Sequence, residues 1–196
     1  MATSNGDPEA PAGTTTVILM GVSGSGKTTL MDALVERLGW PAAEGDAFHP
    51  AANVEKMRTG HPLTDDDRWP WLEALATWIG ERERAGEDVL VTCSALKRAY
   101  REVLRRGHPS VWFVHLVVPP EVLEERLESR RGHYMPSSLL PSQLETLEPL
   151  GPDEPGVELD ATADVRDEVD QVLARLEMLR VERHAGRSIP GRDASM

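Results

Sequence analysis

A glycine-rich octapeptide near the start of the chain constrains the fold more than any other feature of the sequence. Residues 21–28 read Gly-Val-Ser-Gly-Ser-Gly-Lys-Thr and fit the pattern G-x-x-x-x-G-K-[ST]. The apolar run at residues 17–20 precedes the motif, and leucines at 30, 34 and 38 follow it at helical spacing. This strand–loop–helix context predicts a parallel α/β sheet with an anion-binding loop at one edge.

The residue types of the loop suit a nucleoside triphosphate. Glycines permit backbone angles that turn successive N–H groups inward, and the positive end of the following helix adds to the attraction for phosphate. We expect Lys27 to reach the β- and γ-phosphates of ATP and to act in catalysis, and the Thr28 hydroxyl to bind Mg²⁺. The expected nucleotide contacts are Gly21, Val22, Ser23, Gly24, Ser25, Gly26, Lys27, Thr28 and Thr29. A glycine-rich turn with an incidental lysine is the alternative.

Apolar runs alternate with amphipathic stretches through the rest of the chain. Runs at residues 89–91, 111–118 and 157–159 predict further strands, and a second short strand is expected to end at residues 45–46. The stretches between them carry helical spacing. The alternation predicts one α/β domain over residues 15–180, with a parallel sheet that helices cover on both faces.

Three segments lack this periodicity. Residues 1–14 are small, polar and acidic, and we predict a disordered N-terminal tail without signal-peptide or transit-peptide features. Residues 132–155 hold five prolines and are predicted to form a mobile excursion. Residues 181–196 are polar and are predicted to form a flexible C-terminal tail.

Composition narrows the class of partner. The chain has 33 acidic and 21 basic residues, a formal net charge of -12, which argues against nucleic acid because phosphate backbones are bound by clustered Lys and Arg. No apolar run approaches the ~18 residues of a membrane-spanning helix. The one cysteine, Cys93, excludes an intramolecular disulfide and is interpreted as a buried core thiol, which fits a cytoplasmic location.

A series of motifs resembles the gluconate kinases, a family of P-loop kinases. The resembling stretches are G-D-x-x-H-P at 45–50, Asn53, K-M at 56–57, G-x-P-L-x-D-D-D-R-x-P-W-L at 60–72, C-S-A-L-K at 93–97, Y-R at 100–101, Arg126, Arg130, G-H at 132–133 and Q-L-E-T-L-E at 143–148. Their order and spacing make the likeness specific, and it covers about residues 15–178.

The resemblance implies a P-loop kinase with a parallel five-stranded sheet flanked by helices on both faces, similar to shikimate and adenylate kinases. An acceptor-side region is implied at about residues 46–84 and a lid at about residues 126–155. The implied reaction moves the γ-phosphoryl of ATP to the 6-hydroxyl of D-gluconate, within gluconate catabolism that feeds the pentose phosphate pathway. The small-molecule substrate and a homodimer are implied as well.

Two residues of the resembling motifs are candidates for contact with the acceptor hydroxyl groups. Asp46 follows a short predicted strand at the carboxyl edge of the sheet, where α/β ligands bind, and its carboxylate can accept a proton in catalysis. His49 offers one donor and one acceptor to a hydroxyl when neutral. A cap for a helix that begins near Pro50 is the alternative for Asp46, and a structural role is the alternative for His49.

Five basic residues are candidates to meet the anionic groups. Arg68 can bind a carboxylate through two hydrogen bonds, and Lys97 and Arg101 lie four residues apart after the third predicted strand, where they can contact the substrate. Arg126 and Arg130 stand at the entrance of the predicted lid and can neutralise charge on the transferring phosphoryl group in catalysis. Ion pairs on solvated helix faces are the alternative for Arg68 and for the two lid arginines.

Two rival classes differ at recognisable positions. A shikimate kinase would carry three glycines where residues 93–95 read Cys-Ser-Ala, and a monophosphate kinase would place a second phosphate poorly beside the aspartates at 65–67. A nucleotide-dependent switch of the GTPase type would have an N-K-x-D base reader, which the sequence lacks. Release of ADP with and without gluconate separates a kinase from a switch.

Overall fold

The computed structural model describes residues 13–129 and 139–185, with side chains through Arg183. Within these residues, the strands of the single sheet are β1 (Thr16–Met20), β2 (Ala42–Glu44), β3 (Val89–Thr92), β4 (Val111–Val117) and β5 (Gly156–Asp160). Their order is β2-β3-β1-β4-β5, and every pairing is parallel. The predicted parallel five-stranded α/β fold is therefore confirmed.

Helices cover both faces of this sheet. In the described segments they are α1 (Lys27–Leu38), α2 (Ala51–Arg58), α3 (Asp65–Arg84), α4 (Arg98–Arg105), α5 (Pro120–Ser129), α6 (Leu140–Thr146) and α7 (Val165–Ala185), and a 3₁₀ turn spans Gly45–Phe48. None of these helices is long and apolar enough to cross a bilayer.

The central strand β1 contributes to two separate hydrophobic layers. Val17 and Leu19 pack on one face with residues of α1 and α7. Ile18 and Met20 pack on the other face with residues of α3 and α4. All four side chains are fully buried, because successive residues of a strand point to opposite faces and both faces are covered. This explains why the strand is an unbroken apolar run rather than an alternating one.

Two segments predicted as flexible are ordered where the structure describes them. The proline-rich excursion contains α6, and Arg101 donates hydrogen bonds to the carboxylate of Glu154 and the carbonyl of Glu148. Helix α7 continues past residue 180 to Ala185, and Arg183 donates to the carbonyls of Thr14 and Ser110. The predictions were therefore wrong for residues 139–155 and 181–185, because long side chains tie these segments to the core.

The remaining parts of the predicted flexible segments are residues 1–12, 130–138 and 186–196. They lie outside the described residues.

The parallel arrangement brings three loops to one edge of the sheet. Strands β3 and β4 flank β1, and the loops after β1, β2 and β3 all leave from the carboxyl ends of their strands. The Gly21 amide donates to the Ser94 carbonyl at 3.3 Å, which joins the first and third of these loops. This edge is where an open α/β sheet binds its ligands.

Candidate active site

A cleft opens at the carboxyl edge of the sheet. Among the residues predicted as functional, Ser23, Gly24, Gly26, Lys27, Thr28, Asp46, His49 and Arg68 line its wall. The wall also includes Glu44, Gln143 on α6, and residues 92–94 at the end of β3 and the start of the following loop. The fold thus brings together groups that lie up to 120 residues apart in sequence.

The glycine-rich loop folds into a concave turn before α1. Gly21, Gly24 and Gly26 have φ angles of 140°, 85° and 100°, in the region that favours glycine. A Cβ on Gly24 would lie 3.2 Å from Cγ of Leu127, so a larger residue would also require the leucine side chain to shift. The turn ends at the N-terminus of α1, whose positive end attracts phosphate, and its residues Ser23, Gly24 and Gly26 line the cleft, which fits a triphosphate.

Lys27 lies at the mouth of this loop. Its Nζ donates to the carbonyls of Gly21 and Val22, each at 2.9 Å, which holds the ammonium group over the anion site. Thr28, on the first turn of α1, is exposed to the cleft, so its hydroxyl fits a magnesium ligand beside the phosphates. Thr29 is exposed but lies outside the cleft wall.

Asp46 projects into the cleft from the 3₁₀ turn after β2. Its side chain is 55% exposed, yet burial within the cleft raises its pKa, the charge of Lys27 opposes the rise, and Glu44 adds to it. The N-cap of α2 is Pro50, and no side chain caps that helix, so Asp46 is not its cap. The carboxylate is therefore available to a ligand near the phosphate end of the cleft.

A glycine places Asp46 where it is. A Cβ on Gly45 would lie 2.1 Å from the carbonyl oxygen of Thr92, so no other residue permits the turn to lie this close to the end of β3. The indole Nε1 of Trp71 donates to the Gly45 carbonyl at 2.7 Å and fixes the turn from the other side. Sequence reasoning missed Glu44, which precedes this turn, lines the cleft and accepts a hydrogen bond from the Thr92 hydroxyl.

His49 lies next to Asp46, and its ring stacks on a tryptophan side chain. Its ring stacks on Trp71 with centroids 4.1 Å apart, and its side chain is 3% exposed. Burial, together with the positive charge of Arg68, lowers the pKa of His49 to about 4, so the ring is neutral at physiological pH. The Nε2 atom lies 3.9 Å from Oδ1 of Asp46.

Arg68 lines the same cleft as Asp46 and His49. It lies on the first turns of α3, its side chain is 14% exposed, and Nη1 donates to the Tyr100 hydroxyl at 3.1 Å. Asp65 is 3.9 Å from the same Nη1 but is bound through both of its oxygens by Lys97, at 2.9 and 2.8 Å. Lys97 therefore pairs with Asp65 and does not line the cleft, contrary to its predicted role as a substrate contact.

Arg101 was also predicted to contact substrate, and the structure contradicts this. The side chain is fully buried and binds the Glu154 carboxylate at 2.7 and 2.8 Å. It also donates to the carbonyls of Ala95 and Leu96. Arg101 thus fixes the loop after β3, in which Ala95 has a φ of 44°, to the segment that follows α6.

The two arginines assigned to the lid have different outcomes. Arg126 lies behind the glycine-rich loop, where its Nη1 would be 4.0 Å from a Cβ on Gly26, and its Nη2 donates to the Ala161 carbonyl at 2.8 Å. It is therefore next to the loop but outside the cleft wall. Arg130 lies outside the described residues.

Gln143 contacts the glycine-rich loop from α6. Its Oε1 accepts a hydrogen bond from the Ser23 amide at 2.7 Å. The sequence contained this glutamine in a resembling motif but offered no pattern that indicated a contact across 120 residues.

Cys93 and His115 have buried positions. Cys93 is 1% exposed at the base of the cleft, and burial raises the pKa of its thiol to about 12, so it is not a nucleophile. His115 is 3% exposed within β4 and contacts Glu158 on β5 at 3.1 Å. The position of Cys93 agrees with the buried core thiol predicted from the sequence.

Comparison with known proteins extends the likeness beyond the site. Residues 17–150 match the protein family described as an AAA domain. The gluconokinase of Gluconobacter oxydans (strain 621H) is 56% identical over 139 residues, covering 71% of this chain and 78% of that protein.

Two solved structures are similar throughout their length. A gluconokinase from Sinorhizobium meliloti 1021 is 46% identical with a TM-score of 0.76, over 89% of this chain and 98% of that one. A sugar kinase from Janibacter sp. HTCC2649 is 50% identical with a TM-score of 0.82, over 86% of this chain and 98% of that one.

Proposed function

This chain belongs to the gluconokinase family and is an ATP-dependent kinase of a sugar acid, and from that premise we propose the reaction that its cleft performs. The γ-phosphoryl group of ATP is transferred to the 6-hydroxyl of D-gluconate, and the products are 6-phospho-D-gluconate and ADP. In the cell this reaction admits gluconate to the pentose phosphate pathway.

The order of polar groups along the cleft carries the proposal. The charge of Lys27 lowers the pKa of Asp46, and the charge of Arg68 lowers the pKa of His49. Between them, Oδ1 of Asp46 lies 3.9 Å from Nε2 of His49. The groups therefore run from a phosphate-binding end to a guanidinium end. D-gluconate has a matching polarity, with a primary hydroxyl at one end, secondary hydroxyls between, and a carboxylate at the other.

Each group has a role in this orientation. The loop and Lys27 bind the triphosphate, and Arg68 binds the carboxylate, which directs the 6-hydroxyl at Asp46 and the γ-phosphorus. A bond forms from the 6-oxygen to phosphorus, the bond to the ADP oxygen breaks, and Asp46 orients and receives the hydroxyl proton. Since the transition state is loose, placement and charge contribute more than the base. Mg²⁺ bound by Thr28 and the phosphates would supply further positive charge.

An acceptor panel tests the assignment. ADP release is measured with D-gluconate, shikimate, AMP or no acceptor, and the phosphorylated carbon is identified by ³¹P and ¹³C NMR. We expect rapid turnover with gluconate alone and phosphate on carbon 6. Rapid turnover with shikimate or AMP and none with gluconate would overturn the proposal. Slow ADP release at a rate that does not depend on gluconate would indicate a nucleotide-dependent switch.

Three further expectations are proposals that the family supports. Dependence on Mg²⁺ is tested by chelation with EDTA and restoration with excess Mg²⁺. A homodimer is tested by light scattering coupled to size-exclusion chromatography, where a mass near the chain's 21.6 kDa would contradict it. A cytoplasmic location is tested by cell fractionation.

A further inference from the structure

A buried asparagine lies behind His49. Asn53 on α2 is 5% exposed, and its Nδ2 atom lies 2.6 Å from the carbonyl oxygen of Asp67 and 3.4 Å from Nδ1 of His49. A carbonyl oxygen can only accept, so the Asn53 atom that faces it must be the NH₂ group. Because that group has two hydrogens, the second is available to His49.

The asparagine determines which nitrogen of His49 carries the proton. An amide NH₂ only donates, so Nδ1 of His49 accepts, and the proton of the neutral ring is on Nε2. The groups that face the ring are Asn53 from α2, Asp46 from the 3₁₀ turn, and Arg68 from α3, with Trp71 stacked on one side. Burial and the Arg68 charge keep the pKa of His49 at about 4, so the neutral ring is the relevant form.

The tautomer decides what the cleft offers to a hydroxyl group. His49 Nε2 and Asp46 Oδ1 are 3.9 Å apart, too far for a direct hydrogen bond. A hydroxyl oxygen about 2.8 Å from each atom fits beside this gap, where it accepts from Nε2–H and donates to the carboxylate. With the proton on Nδ1 instead, two acceptors would face one hydroxyl hydrogen.

We propose that Asn53 is a positioning residue that fixes the Nε2–H tautomer of His49, so that His49 and Asp46 bind one substrate hydroxyl as donor and acceptor. The role of the hydroxyl rests on the proposed function, whereas the tautomer is a property of the protein alone. Asn53 does not touch the substrate and acts through the imidazole.

The tautomer is read directly by long-range ¹H–¹⁵N NMR of the ligand-free protein at pH 7, with the His49 signals assigned from a His49→Phe variant. We expect a neutral ring with the proton on Nε2. In Asn53→Asp the new carboxylate accepts from the ring, so we expect protonation of Nδ1. A wild-type ring with its proton on Nδ1, or an Asn53→Asp ring that keeps the neutral Nε2–H form, would overturn the proposal. Gluconate turnover plays no part in this arm, so its absence would count against the proposed function alone.

A double-mutant cycle separates positioning from general stability. Asn53→Ala should raise KM for gluconate about tenfold, the loss of one or two hydrogen bonds, with KM for ATP changed less than about twofold. In a His49→Phe background the same substitution should have no further effect, because its route to the substrate is gone. An equal effect in both backgrounds, or an equal effect on both substrates, would refute the positioning role.

Thr64→Ala serves as the matched control. Thr64 caps α3 through the Asp67 amide, so its removal weakens the same helix start without touching His49. We expect this variant to lose stability in urea denaturation and to keep the gluconate KM. A gluconate KM that rises as much as in Asn53→Ala would mean that the position of α3, and not the imidazole, sets binding.

Discussion

Replacing Arg68 by methionine removes the group assigned to the carboxylate of the substrate. The side chain is 14% exposed, and the nearby Asp65 is bound through both oxygens by Lys97. The Arg68 guanidinium is therefore available to pair with the carboxylate of a ligand. Hydrogen bonds to a charged partner contribute about 1.5–3 kcal/mol. Since ~1.4 kcal/mol corresponds to a factor of ten, KM for gluconate should rise about 10- to 150-fold.

The assay compares two acceptors that differ at one carbon. Sorbitol has a CH₂OH group in place of the carboxylate of gluconate, so the ratio of kcat/KM for the two measures recognition of the acid. We expect Arg68→Met to reduce this ratio about 10- to 150-fold and to leave KM for ATP unchanged. Arg68→Lys should give a ratio between those of the wild type and Arg68→Met, because an ammonium group keeps the charge but loses the planar pair of donors.

An exposed arginine provides the control. Arg98 pairs with Asp153 on the surface, and Arg98→Met should leave the ratio unchanged. An Arg68→Met enzyme that still prefers gluconate would show that the carboxylate binds elsewhere. Equal losses for gluconate and sorbitol would show that Arg68 supports the cleft without binding the acid.

Three further substitutions test other parts of the site and its support. Lys27→Ala should lower kcat about 10²-fold or more, since the ammonium neutralises charge in the transition state, and a folded variant with normal turnover would contradict this. Asp46→Asn should lower kcat by about 10²-fold with ATP affinity, measured by titration, changed only a few-fold. Because burial raises the pKa of Asp46, wild-type kcat/KM should fall with decreasing pH at a higher pH than for an ordinary aspartate, and this decline should be missing from Asp46→Asn. Arg101→Met should lower the free energy of unfolding in urea by about 3–5 kcal/mol, because it leaves a buried carboxylate unpaired, whereas Arg98→Met should have little effect.

The parts of the site that sequence reasoning located depend on local pattern. The glycine-rich loop combines a motif with an apolar strand before it and a helix after it, so its place at the sheet edge follows from a few adjacent residues. Asp46, His49 and Arg68 were located through ordered motifs, and the structure places all three in one cleft with Lys27.

The assignments that failed depended on distant partners. Lys97 and Arg101 were predicted to contact the substrate from positions four residues apart. Lys97 is instead the N-cap of α4 with an extended backbone at φ −99° and ψ 149°, so the two side chains are not related by helical spacing. Arg101 is buried because Glu154, 53 residues away, supplies the opposite charge. Neither fact is visible in the residues near position 101.

The contact at Gly45 gives a rule for interpreting related sequences. Any side chain at this position would meet the Thr92 carbonyl at 2.1 Å, so the turn would have to move away from β3 and take the next residue with it. A homologue that keeps the aspartate but replaces this glycine would therefore carry its carboxylate in a different place. In a survey of genomes, the Gly-Asp pair is therefore a more specific marker of this carboxylate position than the aspartate alone.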